Sequence, residues 1–174
     1  RDYYASRGLG DVYKRQNYDC CKDYNSIEEY LKTSVAAGKI SEEYAGLINL
    51  KRFEEFLQTD LGKRMGSAYK KGLLFREQPF IMELGADMID KEYPSDEKIL
   101  VQGIVDAFFF EEDKVYIVDY KTDRVEQGKA GEKALVERYH KQLELYADTI
   151  SRVTGKETGG CYIYSTCLKK EILI

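Results

Sequence analysis

The 174-residue sequence has no apolar run long enough to span a membrane and shows no secretory signal. Both absences lead to the expectation of a cytoplasmic protein. It has no CxxC pair either. Its cysteines are Cys20, Cys21, Cys161 and Cys167. An even count suggests disulfides in a small secreted chain, but this chain is neither small nor marked for secretion. Cys161 and Cys167 flank the apolar run Tyr162-Ile163-Tyr164, and their spacing matches no cluster pattern. Free buried thiols are therefore expected. There is no GxxxxGK[ST] loop, so ATP chemistry has no seat here. There are no repeats and no low-complexity tract. Histidine is almost missing, with His140 the single copy. Basic charge is not in excess: 27 Lys and Arg stand against 31 Asp and Glu, a formal net charge of −4. That balance argues against a simple nucleic-acid coat protein. It does not exclude an enzyme with acidic groups at a metal and basic groups along a DNA track, because net charge averages the two.

What is present suits one globular domain. Hydrophobic residues make up 43% of the chain and charged residues 33%, enough for a sizeable core. Residues 1–16 show no periodicity, resemble translated adaptor sequence, and are expected to be a non-native or disordered leader. Ser26 with Glu29 has the form of a capping box, and Ile27, Tyr30, Leu31 and Val35 follow at helical spacing. Gly38 closes that helix. Ser41 opens a second, with Tyr44, Leu47, Ile48, Phe53, Phe56 and Leu57 as its buried stripe. Thr59 caps a third, running to about Lys71. The pattern changes at Leu73. Residues 73–82 read as a strand, in which Pro79 suggests an edge or a bulge. A loop or hairpin tip covers 85–97, then strands cover 99–110 and 114–121. An amphipathic helix over 132–153 carries Leu135, Tyr139, Leu143, Tyr146, Ala147 and Ile150 on one face and ends at Gly155. Two strands, 160–165 and 170–174, finish the chain.

Strand residues two apart share a face, so Asp119 and Lys121 point to one side, while Tyr116, Val118 and Tyr120 point to the other. If 111–114 is a loop joining two antiparallel strands, Phe110 faces Val115, Phe108 faces Ile117, and Asp106 faces Asp119. Carboxylates directly opposite one another destabilise a sheet, and burial adds to the cost. A cation resolves the conflict, and hard oxygen ligands select Mg²⁺ or Mn²⁺. A neighbouring lysine can orient an attacking water or stabilise negative charge developing on a phosphate. From spacing alone a second reading stands beside it: an ordinary exposed strand face on which Asp and Lys pair.

The motifs in order are Arg76-Glu77-Gln78-Pro79-Phe80, Gln102-Gly103-Ile104-Val105-Asp106, Val118-Asp119-Tyr120-Lys121-Thr122-Asp123-Arg124, and Tyr139, Gln142, Leu143 and Tyr146 on one helix. Together they resemble the PD-(D/E)XK nuclease superfamily, and more closely the C-terminal nuclease domain of the AddA/RecB helicase–nuclease family. The resemblance runs from about Asn17 onward. It implies an α/β (α+β) fold with a restriction-endonuclease-like core: a mixed central sheet flanked by helices, with a helical N-terminal part. The domain would cover 17–174, helical over 26–71, with the catalytic core over 73–174. It also implies a Mg²⁺-dependent (or Mn²⁺-dependent) exonuclease that processes double-strand DNA ends for recombinational repair. Metal ligands would be Asp106, Asp119 and the Tyr120 carbonyl. Lys121 would act on the water, and Gln142 would serve as a further catalytic residue. Glu77, Arg124 and Tyr146 would bind DNA or support the site. The partners implied are DNA, helicase domains of the same polypeptide and an AddB-like partner, in a bacterial cytoplasm. One departure stands out. The family carries an upstream histidine as a further ligand, and its expected position falls within 1–16. His140 lies in the wrong helix and reads as a surface or packing residue. The alternative is therefore a catalytically impaired module that binds DNA or a partner chain. Basic residues Arg124, Lys129, Lys133, Arg138 and Lys141 read either as a phosphate track or as a solvated helix face.

Overall fold

The computed structural model describes residues 18, 24–47, 49–88, 92–94 and 96–174. The expectations for 1–16, the stretch where the family would carry its upstream histidine, and for Cys20 and Cys21 lie outside the described residues. So do those for Ile48 and for the side chains of Tyr44 and Leu47.

Local sequence accounts for most elements. Helix α1 is Tyr24–Ala36, so Ser26 lies inside its first turn and does not cap it. Gly38, at φ +69°, closes the helix, with its N–H on the Val35 carbonyl at 2.9 Å. The helix expected from Ser41 to Leu57 is divided into α2 (Glu42–Leu47) and α3 (Leu50–Gln58). Asn49 is the reason. Its extended backbone leaves its side chain to accept the Arg52 N–H at 3.2 Å, and asparagine favours a cap over a helix interior. Thr59 caps α4 (Asp60–Lys70) as expected, accepting the Gly62 N–H at 3.0 Å.

Strands β1 (Leu74–Gly85), β2 (Lys98–Glu111), β3 (Lys114–Lys121), β4 (Glu157–Ser165) and β5 (Lys170–Leu173) form one mixed sheet in chain order. Only β3 and β4 run parallel. They are joined by the long helix α5 (Lys129–Thr154), because a parallel pair needs a crossover. Two positions differ from expectation through packing. Helix α5 starts at Lys129, before Glu132, because Gly131 lets the chain turn tightly: a Cβ there would stand 1.9 Å from the Glu126 carbonyl. Strand β4 starts at Glu157, before Gly160. Gly159 is skipped in the β3–β4 register and lies under the Tyr116 ring, where a Cβ would meet ring carbons at 2.3 Å.

The sheet separates two cores. On one face α1, α3 and α4 bring Ile27, Phe53, Phe56, Leu61 and Met65 against Ala107, Phe109, Val118, Tyr120 and Tyr164. On the other, α5 brings Leu135, Leu143, Tyr146 and Ile150 against Val105, Phe108, Val115, Ile117 and Ile163. The mixed sheet flanked by helices is the fold the motifs imply. Cys161 belongs to the second core and is a free, buried thiol; Cys167 is free and partly exposed.

Burial pushes the Cys161 thiol up to about 11. Against an ordinary cysteine near 8.5, its thiolate at pH 8 should be rarer by roughly two orders of magnitude. Timed alkylation of the native protein with peptide mapping should therefore label Cys167 well before Cys161; equal rates would refute the burial. A raised folded-state value also sets a sign. This contribution to stability is present below about 8.5 and lost as pH rises toward the folded value.

Candidate active site

Strand β3 positions the centre. Its alternation sends Tyr116, Val118 and Tyr120 into the α1/α3/α4 core and Val115 and Ile117 into the α5 core. The β2–β3 ladder pairs Phe110 with Val115, Phe108 with Ile117 and Ala107 with Val118. Glu111 pairs with Lys114, so the hairpin loop is only Glu112-Asp113, both at positive φ. That is a tight primed turn, whose twist suits a hairpin. The ladder stops before Asp106 and Asp119. In its place the Asp106 carboxylate accepts the Tyr120 backbone N–H at 3.1 Å. The side chain of Asp106 thus bridges to the strand that carries Asp119.

The break coincides with an irregularity on β1. Glu77 sits at φ 49° and its pairing with Asp106 is skipped, while Arg76–Ala107 and Gln78–Val105 are paired on either side. Phe75 and Phe80 are an odd number of residues apart, yet both face the α5 layer, Phe75 stacking on Phe108 and Phe80 meeting Tyr146. Val105 and Phe108 share that face in the same way. Both strands therefore exchange faces at Glu77 and Asp106. A left-handed non-glycine residue opposite a buried carboxylate is the kind of local strain found at functional sites. Pro79 lies on the edge strand, as its missing N–H requires, but the irregularity is at Glu77.

Asp119 is 2% exposed and Asp106 8%. The Lys121 ammonium lies 2.6 Å from Asp119 Oδ2 and donates to Gln142 Oε1 at 3.3 Å. Gln142 Nε2 in turn donates to the Tyr146 hydroxyl at 2.6 Å. Burial raises the Tyr146 phenol, and the negative field of Asp119 and Asp106 adds to it, against the opposing pull of Gln142. Tyr146 thus stays a neutral hydroxyl beside the two carboxylates. Tyr120 is also raised well above its ordinary value, chiefly by burial. The Lys121 carbonyl accepts the Thr166 N–H at 3.0 Å, which ties down the end of β3.

The fold therefore gathers Asp106, Asp119, Tyr120, Lys121, Gln142 and Tyr146. Glu77 is exposed, at the switch point opposite Asp106. Arg124 is exposed in the segment leaving β3. His140 is half-buried on α5, its Nδ1 facing the Glu137 carbonyl of its own helix at 3.2 Å. Of the other basic residues, Lys133 pairs with Glu137 and Arg138 with Asp123. The motifs by themselves assign no role to two further neighbours of Lys121. The Tyr139 ring lies 4.0 Å from the ammonium, and Asp123 accepts the Tyr139 hydroxyl. Both stand inside the motifs, Asp123 in the DYKTD run and Tyr139 one helical turn before Gln142.

The donor chemistry suits a hard divalent ion. Two buried carboxylates stand on adjacent strands, Asp106 on the Tyr120 N–H and Asp119 beside Lys121, and both offer oxygen. Among the described residues no third His, Cys, Asp or Glu completes a cluster. Magnesium commonly takes only one or two carboxylates and fills the rest of its shell with water and phosphate oxygens.

Comparison with known proteins agrees in kind. The family model of the PD-(D/E)XK nuclease superfamily matches residues 11–171. The A subunit of the ATP-dependent helicase/nuclease from Clostridium perfringens (strain SM101 / Type A) is 40% identical over 155 residues, covering 86% of this chain and 12% of that protein. The protein of the same name from Thermoanaerobacter sp. (strain X514) is 39% identical over 165 residues, covering 92% and 13%. That from Listeria monocytogenes serotype 4a (strain HCC23) is 34% identical over 142 residues, covering 79% and 11%. The chain thus spans about an eighth of the length of these relatives.

Proposed function

The chain belongs to the PD-(D/E)XK nuclease superfamily, and on that premise we propose that it is a metal-dependent exonuclease domain that hydrolyses DNA phosphodiesters. The observation that carries the proposal is the pairing of buried Asp119 with Lys121 on β3, next to the Tyr120 N–H that the Asp106 carboxylate accepts where the β2–β3 ladder ends. Asp106, Asp119 and the Tyr120 carbonyl would hold the ion. A bound divalent ion supplies charge neutralisation at the phosphate and activation of water. The chain's own residues do the rest. Lys121 presents a cation where negative charge develops on phosphate, and Gln142 and Tyr146 hold that cation through a hydrogen-bonded chain. Mg²⁺ is the proposed ion, with Mn²⁺ as its substitute. Glu77 and Arg124 are proposed to support the site or contact DNA.

The names of the relatives support a wider setting. In it the domain is one part of an AddA-type helicase–nuclease, with helicase domains in the same polypeptide and an AddB-like partner. Such an enzyme would process double-strand ends for recombinational repair in the bacterial cytoplasm. No helix among the described residues is long and apolar enough to cross a membrane. A second reading rests on His140, which is the only histidine and lies on α5, turned to its own helix. In that reading the chain binds DNA or a partner without cutting.

The test is loss of linear double-stranded DNA in Mg²⁺ or Mn²⁺, with a chelator control. The expected result is degradation that starts at ends, leaves closed circles intact and stops on chelation. Binding without metal-dependent cutting would establish the second reading and defeat the first.

A further inference from the structure

We infer that Tyr139 and Asp123 form a platform that positions the Lys121 ammonium, a role that deepens the nuclease reading and rests on it. Lys121 has a long flexible stem, so its ammonium needs walls to hold one position. Three neighbours provide them: Asp119 Oδ2 at 2.6 Å, Gln142 Oε1 at 3.3 Å and the Tyr139 ring face with its centroid at 4.0 Å.

Asp119 is the weakest of these walls. As a proposed metal ligand, it shares its carboxylate with a divalent cation that repels the ammonium. The remaining walls are neutral. An aromatic face attracts a cation through its quadrupole and offers no lone pair to compete for a metal. Tyr139 and Gln142 stand one turn apart on α5 and close on Lys121 together.

The ring is itself held in place. Its hydroxyl lies 2.9 Å from each oxygen of Asp123, in the segment that leaves β3 just past Lys121. Arg138 Nη1 holds the same carboxylate at 2.7 Å. Burial, the hydrogen bond to Asp123 and that carboxylate's charge raise the Tyr139 phenol, which keeps it a donor. Asp123 therefore fixes the angle of the ring under the ammonium. Tyr139 is a positioning residue, because it acts through Lys121.

Tyr139→Leu and Tyr139→Phe separate ring from hydroxyl. In the metal-free chain, the Lys121 ε-methylene protons should be shifted upfield by the ring current, with Lys121→Arg identifying the signal. Tyr139→Phe, which keeps the ring but cuts its tie to Asp123, should reduce that shift, and Tyr139→Leu should abolish it. With Mg²⁺ and DNA, Tyr139→Leu should lower kcat about tenfold, the scale of a desolvated cation–π contact, and leave KM for DNA nearly unchanged. Tyr139→Phe should recover part of the loss, the remainder being the tie to Asp123. An unshifted Lys121 signal in the parent chain would overturn the proposal. So would a phenylalanine variant as impaired as the leucine one, or a defect confined to KM. If the parent chain cuts no DNA, the nuclease reading fails, and the metal-free spectra alone decide the position of the ring.

Discussion

Asp119→Asn should abolish metal-dependent DNA degradation while leaving the fold intact. The substitution keeps shape and removes charge. On the proposed role it takes a negative ligand from an ion that would otherwise stabilise phosphate charge by about 4 kcal/mol, so the rate should fall roughly 10³-fold. The side chain is buried, and no neighbouring acid among the described residues completes a cluster to replace it. The fold should persist because the asparagine carbonyl still offers Lys121 an acceptor. Initial rates on linear DNA and a urea unfolding curve are the two measurements. A rate within tenfold of the parent would remove Asp119 from the reaction. A rate loss matched by a collapsed unfolding transition would make it a structural residue instead.

Phe56→Ala should have the largest effect on stability. Phe56 is fully buried, and its ring meets those of Tyr164 at 4.6 Å and Tyr120 at 5.8 Å. Removing a phenyl ring from a core of fixed shape costs about 4 kcal/mol, from lost transfer energy and the cavity that remains. Against a total stability of about 5–15 kcal/mol, that is enough to leave the domain marginal. With a urea slope of about 2 kcal/mol per molar, the midpoint should fall by about 2 M. A fall of less than about 0.5 M would mean that the helical layer is loosely seated on the sheet. The location gives the loss a functional side. Phe56 packs behind Tyr120, the residue between Asp119 and Lys121, so the same substitution should loosen the back of the strand that carries the proposed site.

Much of this arrangement can be read from local pattern. The two-residue repeat puts Asp119 and Lys121 on one face and Val118 and Tyr120 on the other. The short polar turn at Glu112-Asp113 sets the β2–β3 register. Thr59 and Gly38 mark helix ends by chemistry that acts within a few residues. Where local pattern misleads, the deciding contact comes from elsewhere in the chain or from a competing local bond. Asn49 breaks a helix that hydrophobic spacing alone treats as continuous. Gly159 enters β4 because the Tyr116 ring covers it, and a glycine pair read in isolation looks like a turn.

The site divides in the same way. Periodicity and turn chemistry are enough to put Asp119 and Lys121 on one face and Asp106 on the neighbouring strand, because strand geometry repeats at fixed intervals. Only the folded chain shows that the ladder ends there and that the Asp106 carboxylate takes the Tyr120 N–H. Only the fold shows that a strained Glu77 switches both strands between faces. The approach of α5 is also tertiary. It sets Gln142 and Tyr139 against Lys121 and ties Tyr139 to Asp123 across the crossover. Backbone hydrogen bonding and side-chain alternation are short-range and leave their mark in sequence. The angle at which a helix lies on a sheet depends on the whole core, and no local run of residues encodes it.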